Sequence, residues 1–219
     1  MPRSAIALLS GGLDSGVSLA LWLENPGCQV SLCLTFDYGQ RAVEAESRAA
    51  RQLAERFGLQ WRRIELPWLA DAARLSGSAL LGGALPEGTE DNPGDDASAS
   101  AVWVPARNLV FLAVAASFAE AAGDSVLLTG FNREEAATFP DNSSEFVEAM
   151  DAVLKLGTRE GVTVCSPTLE CSKHDIARRA RDLGLAASDF WSCYAAGPSP
   201  CGRCESCLRS ARAWHQTSS

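Results

Sequence analysis

The stretch Ser10-Gly11-Gly12-Leu13-Asp14-Ser15 stands between the apolar run Ala5-Ile6-Ala7-Leu8-Leu9 and the segment Gly16-Val17-Ser18-Leu19-Ala20-Leu21-Trp22. That order dictates a strand, a tight glycine turn and a helix start. Adjacent glycines let the backbone approach an anion closely, while the hydroxyls of Ser10 and Ser15 and the unpaired N–H groups of the first helical turn point at it. There is no Gly-Lys-Ser/Thr, so this is not the loop that holds β- and γ-phosphates with a lysine. Anion contacts are expected from Leu9 through Leu19. Ser10, Gly11, Gly12, Leu13, Asp14 and Ser15 make the loop; Gly16, Val17, Ser18 and Leu19 continue it into the helix.

The rest of the chain repeats the alternation. Ser4–Leu9, Gln29–Phe36, Gln60–Leu66, Ser125–Thr129 and Val162–Cys165 read as strands. Helices are expected at Gln40–Phe57 (closed by Gly58), Asn108–Ala122, Ser143–Leu156 and, last, Ser172–Asp182, ended by Gly184. Strand–helix–strand units predict an α/β, Rossmann-like parallel sheet. The segment Asp71–Ala101, rich in Gly, Ser, Ala and Asp with Pro86 and Pro93, breaks the pattern and reads as a mobile insertion. The expected organisation is one α/β domain carrying the glycine loop over residues 1–190 and a small cysteine-bearing segment over 191–219. Ligands of such sheets sit beyond the carboxyl ends of the strands, where Ser10, Asp37, Gly130 and Pro167 should meet.

Charge narrows the partners. A net charge of -8 over 219 residues argues against broad contact with nucleic-acid backbone or an anionic membrane. Cations at the nucleotide must therefore be local. No apolar stretch approaches the roughly 20 residues of a membrane span, and the N-terminus lacks the pattern of a secretory signal. A cytoplasmic protein is expected, with a homodimer as its assembly. The eight cysteines then read as thiols or metal ligands and not as disulfides.

Four of them fall in Cys193-Tyr194-Ala195-Ala196-Gly197-Pro198-Ser199-Pro200-Cys201-Gly202-Arg203-Cys204-Glu205-Ser206-Cys207. Cys193, Cys201, Cys204 and Cys207 are a soft ligand set suited to tetrahedral zinc, and two-residue gaps allow backbone N–H groups to support the sulfurs. An iron–sulfur reading expects a spacing such as C-x2-C-x2-C-x3-C-Pro, whereas Leu208-Arg209-Ser210 follows Cys207. Four protein ligands leave no open position, so the zinc, one per chain, is expected to be structural. Cys28, Cys33, Cys165 and Cys171, in or beside expected strands, read as small core residues or incidental thiols.

The form Ser-Gly-Gly-x-Asp-Ser resembles the PP-loop of the ATP pyrophosphatases, in which the α-phosphorus of ATP is attacked and pyrophosphate leaves. Joined to Thr35-Phe36-Asp37-Tyr38-Gly39-Gln40-Arg41, Val104-Pro105-Ala106-Arg107-Asn108, Phe139-Pro140-Asp141 and Trp191-Ser192-Cys193-Tyr194, it makes the chain resemble the 7-cyano-7-deazaguanine synthase family over almost its full length. The resemblance implies ATP-dependent conversion of 7-carboxy-7-deazaguanine and ammonia to 7-cyano-7-deazaguanine (preQ0), through an acyl-adenylate and an amide. It also implies magnesium with the ATP and zinc on the four cysteines. Such chemistry needs charge stabilised at phosphate more than a protein nucleophile.

Asp14, as a magnesium ligand or loop-orienting group, and Ser15, Arg107 and Lys173 are accordingly the candidate catalytic residues, with Arg41 a further cation for phosphate or substrate carboxylate. Strand-end backbone near Phe36 is placed against adenine by analogy of fold. Glu135 and Asp141 are the candidate partners for the guanine-like edge, and Phe139 the ring that stacks on it. Here the sequence departs from the family: Glu135-Ala136-Ala137-Thr138-Phe139-Pro140-Asp141-Asn142-Ser143 lacks the usual Cys-Arg after Pro-Asp, and Ala42 stands where His commonly follows Gly-Gln-Arg. Two other functions remain: a tRNA-modifying or amidating PP-loop enzyme, which should carry a basic face, and a non-enzymatic zinc-binding interaction module, for which Arg203 and Arg209 offer little phosphate-seeking charge.

Overall fold

The computed structural model of the chain describes residues 3–88 and 96–215. Strand β1 (Arg3–Leu8) runs into the glycine loop and α1 (Leu13–Leu23). Next come β2 (Cys28–Asp37), α2 (Val43–Arg56) and β3 (Trp61–Glu65). Helices α3 (Pro67–Leu75), α4 (Asp96–Ala101) and α5 (Arg107–Ala122) precede β4 (Val126–Leu128). The chain then adds α6 (Arg133–Ala136), α7 (Ser144–Gly157), β5 (Thr163–Cys165), α8 (Lys173–Asp182) and α9 (Glu205–His215).

The strands form one sheet of order β3-β2-β1-β4-β5 with every pair parallel. Alternation along each strand feeds two cores. Ala5 and Ala7 of β1, with Val126 and Leu128 of β4, face α1 and α8. Ile6 and Leu127 face the opposite side, where Leu112, Ala115 and Met150 come from α5 and α7. A sheet buried on both faces needs such continuous apolar runs.

The order reverses direction at β1: β2 and β3 lie to one side, β4 and β5 to the other. A crevice opens beyond the ends of β1 and β4, and two glycines allow its close packing. Gly11 has φ +81° and a Cβ there would meet the Glu46 carbonyl at 2.4 Å; at Gly130, just past β4, a Cβ would meet Ser15 N at 2.4 Å. No larger residue fits either place without displacing backbone.

One expectation is corrected: Ser172–Asp182 is not the last helix, because Glu205–His215 follows it, with Ala213 packed into the α1/α8 core. The described parts of the segment 71–101 pack as follows. Residues 71–75 complete α3, a helix that starts with Pro67 at its first position, and Ala79, Leu80 and Ala99 are buried. Its residues 89–95 lie outside the described residues. Glu87 pairs with Cys204 across an antiparallel bridge, so this segment meets the cysteine-rich tail. Among the described residues no helix is long and apolar enough to cross a membrane.

Candidate active site

The crevice is a cavity of about 300 Å³ walled by the glycine loop, the ends of β1, β2 and β4, the start of α5, the α6 region and the tail. Its floor is the loop itself. Ser10 Oγ and Ser15 Oγ lie 2.9 Å apart, Gly12 N donates to Ser10 Oγ at 3.2 Å, and Ser10 N donates to Ser15 Oγ at 3.2 Å. Trp191 N donates to the Gly11 carbonyl at 2.8 Å, tying the loop to the tail. Gly12 caps α1 with no side-chain hydrogen bond. The first-turn N–H groups thus keep the anion-binding character of an uncapped helix start.

Behind the loop, Lys173 Nζ bridges two carboxylates, Asp14 Oδ2 and Glu135 Oε1, the latter at 2.6 Å. Three segments distant in sequence supply this cluster. Asp14 comes from the first turn of α1. Glu135 comes from α6, capped by Asn132, whose Oδ1 accepts from Glu135 N at 3.0 Å. Lys173 opens α8, fixed by a reciprocal Ser172–Asp175 capping box. Burial raises the Asp14 carboxyl to about 6 although Lys173 opposes the shift. For Glu135, burial is outweighed by the Lys173 charge and hydrogen bond and by Arg107, so its carboxyl lies below the usual range. Burial alone would lower Lys173, but its two carboxylates push it well above an ordinary lysine. Asp14 Oδ1 is buried with no hydrogen-bond partner among the described residues. An orphaned carboxylate oxygen beside a phosphate cradle fits a divalent cation.

The other wall carries Arg107, whose Nη1 donates to Tyr38 Oη at 3.4 Å. Ala106, the residue before it, holds φ 54°, a left-handed conformation that strains an alanine and sets the direction in which α5 begins. Burial would lower the Arg107 guanidinium, but Tyr38, Asp141 and Glu135 raise it above the ordinary range. Burial raises Asp141 despite Arg107. The backbone of Asp141 is held by Asn108, whose Nδ2 donates to its carbonyl at 3.1 Å. Phe36 stacks on Phe111 at 4.2 Å, forming the apolar side of the wall.

In the tail, the sulfurs of Cys193, Cys201, Cys204 and Cys207 all lie within 4.8 Å of one another, with Cys201–Cys207 and Cys193–Cys204 at 4.0 Å. Zinc–sulfur bonds of about 2.3 Å place tetrahedral sulfurs about 3.8 Å apart, so the cluster fits a zinc site. Backbone N–H groups of Ala195 and Cys201 donate to Cys193 Sγ at 3.3 Å, and that of Cys204 to Cys201 Sγ at 3.4 Å. Such donors favour thiolates, the form a metal takes.

Over residues 4–218 the sequence matches the family described as Queuosine biosynthesis protein QueC. The chain belongs to the QueC family. A relative from Pelotomaculum thermopropionicum named 7-cyano-7-deazaguanine synthase is 49% identical over 212 residues, covering 95% of both chains. One of the same name from Methanosarcina barkeri is 43% identical over 219 residues, covering 96% of this chain and 93% of the relative. QueC membership makes this protein an enzyme of the PP-loop class that forms a carbon–nitrogen bond. The solved structure of the U34-tRNA thiolase NcsA from Methanococcus maripaludis with its [4Fe-4S] cluster aligns with a TM-score of 0.55 at 14% identity, covering 97% of this chain and 64% of that one. A 4-thiouridine synthetase–RNA complex with bound ATP aligns at 0.53 and 17% identity, covering 97% and 53%. At such identities the likeness is one of fold.

Within this QueC-family crevice the structure gathers Leu9, Ser10, Gly12, Leu13, Asp14, Ser15, Phe36, Arg107, Glu135, Phe139, Asp141 and Lys173 along one cavity. Gly11 lies beneath it against α2, and Gly16, Val17, Ser18 and Leu19 are buried supports of the loop. Arg41 is not brought to the cavity wall: its Nη2 donates to the Gly83 carbonyl. Asp37 is likewise diverted, paired with Arg63 at 2.5 Å and accepting from Gly39 N at 2.9 Å. Pro167 also stays off the wall, so Ser10 and Gly130 alone of the four expected strand-end residues meet there. Several lining residues escaped the sequence reading. Trp103, Tyr38 and Glu46 sit in or beside motif segments, while Ser206, Arg209 and Ser210 come from the unpredicted α9, where Arg209 pairs with the buried Glu205. The i,i+4 spacing of Glu205 and Arg209 was their available signal.

Proposed function

We propose that this enzyme converts 7-carboxy-7-deazaguanine and ammonia to 7-cyano-7-deazaguanine with ATP, in queuosine or related 7-deazaguanine biosynthesis. The reading rests on one observation above all: a single cavity joins an anion-binding loop to a polar pocket holding Arg107, Asp141 and Glu135. Ser10, Gly12, Ser15 and the first-turn amides of α1 hold the phosphates of ATP; the β2 end near Phe36 faces adenine. Asp14 would hold magnesium, which neutralises phosphate charge when bound. Lys173 keeps the Asp14 and Glu135 carboxylates compatible in one buried site and supplies positive charge beside the phosphates.

A substrate carboxylate oxygen attacks the α-phosphorus of ATP and pyrophosphate leaves. Ammonia then attacks the activated carbonyl carbon, AMP leaves and a proton is lost, giving the amide. The amide oxygen is adenylated by a second ATP in the same way. Loss of AMP and the remaining N–H protons leaves the nitrile. Each adenylation concentrates negative charge where the loop amides, Lys173 and Arg107 are already oriented, which is the kind of stabilisation that dominates acyl and phosphoryl transfer. Arg107 orients the carboxylate, and Asp141 with Glu135 accepts hydrogen bonds from the guanine-like edge.

Cys193, Cys201, Cys204 and Cys207 would hold one zinc, whose role when bound is to close the tail fold on which Tyr194, Ser206 and Arg209 reach the cavity. The net charge of -8 supports small-molecule substrates in place of nucleic acid; a cytoplasmic homodimer accords with that reading. Incubating the protein with magnesium, ATP, ammonium and 7-carboxy-7-deazaguanine should yield AMP, pyrophosphate and the nitrile mass. AMP release with other carboxylates and none with this one would overturn the assignment.

A further inference from the structure

Trp103 and Phe139 both line the cavity, with ring planes only 6° apart and ring centroids separated by 6.2 Å. Another near-parallel pair lining the cavity, Phe36 and Phe111, has its centroids at 4.2 Å, so the Trp103 and Phe139 centroids stand wider apart. Seating a flat ring between two faces takes about 7 Å, twice the optimal carbon–carbon separation. With centroids 6.2 Å apart, the Trp103–Phe139 pair admits a flat ring only by opening by about 1 Å or more.

Both rings have braced backbones. Val102 and Val104, on either side of Trp103, are buried at 5% and 2% exposure. Phe139 N donates to the Glu135 carbonyl at 2.7 Å, and the Phe139 carbonyl accepts from Asn142 N at 3.0 Å. Each ring also brings a polar companion from its own segment to the same cavity: Arg107 follows Trp103 and Asp141 follows Phe139. Two parallel aromatic faces with an acid and a guanidinium at the rim are what a planar, hydrogen-bonding bicyclic heterocycle requires.

We propose that Trp103 and Phe139 clamp the two faces of the substrate's bicyclic heterocycle, with Trp103 a binding residue of the carboxylate substrate and not of ATP. The proposal rests on the reading of that substrate given above. Adenine is left to the Phe36 side of the cavity. The clamp sets specificity for flat rings and fixes the ring plane, while Asp141 and Glu135 read its edge.

The test is a titration of the wild-type protein with 7-carboxy-7-deazaguanine, following tryptophan emission, together with steady-state kinetics of Trp103→Leu, Trp103→Phe and Phe139→Leu. Stacking on one ring is worth roughly ten- to a hundredfold in affinity. Trp103→Leu and Phe139→Leu should each raise KM for the heterocycle by roughly that factor, with KM for ATP within about twofold of wild type. Trp103→Phe keeps a ring, so its KM should stay within about threefold, while most of the ligand-induced emission change disappears. That spectroscopic loss with retained binding is not expected of a residue that only supports the fold. Nitrile formation by the wild type with an unmoved heterocycle KM in Trp103→Leu overturns the clamp alone, as does a KM for ATP that rises in step. No binding and no nitrile in the wild type overturns the substrate reading and the clamp with it.

Discussion

Asp14 stands where a helix start favours a carboxylate and where burial disfavours one, and burial wins: its carboxyl is raised to about 6 even with Lys173 in contact. The folded protein therefore holds a proton on this group between its ordinary value of 3.8 and about 6, where the unfolded chain has already released it. Its ionisation costs the fold stability, a cost absent below 3.8 and complete once the pH has risen past about 6. Asp14→Asn keeps the shape and an acceptor for Lys173 without the buried charge. At pH 8 the ligand-free variant should be more stable than wild type by on the order of 2 kcal/mol, with the gap closing towards pH 4. It should also release no AMP, since the orphaned Oδ1 and the charge are gone. Urea unfolding at both pH values is the measurement; a variant less stable at pH 8 would show that the contact with Lys173 outweighs desolvation.

At the scale of elements, strand–helix alternation is readable because the central strands β1 and β4 are apolar on both faces and the helices between them are marked by a glycine or a polar cap. Ser172 and Ser143 do cap α8 and α7, and Gly58 and Gly184 do follow helix ends with positive φ. Helices α3 and α9 were missed for different reasons. The Pro67 start of α3 is masked by the Gly- and Ser-rich sequence after it, and α9 is hidden because Cys204 directly before it and Cys207 in its first turn read as a turn motif. In the structure that helix packs Ala213 into the core and carries Arg209 to the cavity, so the cysteine cluster and the cavity share one element. Cys204→Ser should lose most of its zinc and melt at lower temperature, because structural zinc contributes on the order of 10 kcal/mol or more to folding such a segment. Cys28→Ser, on a half-buried strand thiol, should keep its metal. Metal analysis beside thermal unfolding decides it; full zinc in Cys204→Ser would mean the four sulfurs are not a ligand set.

At the scale of the whole molecule, the sheet order makes the site. Asp14, Glu135 and Lys173 are up to 159 residues apart in sequence and meet because β1 and β4 are neighbours at the point where the strand order reverses. A linear reading could name those three residues from motifs but not their mutual ion pairs, just as it could not foresee that Arg63 on β3 captures Asp37 and removes it from the crevice. The same geometry separates the two ligand ends. In the proposed reading the phosphates lie on the β1–α1 loop, whereas Asp141 belongs to the opposite wall, its backbone pinned by Asn108. Asp141→Ala should therefore leave donors on the heterocycle unpaired, at about 1 to 3 kcal/mol per group, and raise its KM by roughly ten- to a hundredfold. KM for ATP should stay nearly constant. Lys173→Met is the contrast, because Nζ contacts a carboxylate from each end and its loss leaves two buried acids facing one another; both KM values and stability should suffer. Equal losses for both ligands in Asp141→Ala would mean general disruption of the wall, and an unchanged heterocycle KM would place edge recognition on Glu135 alone.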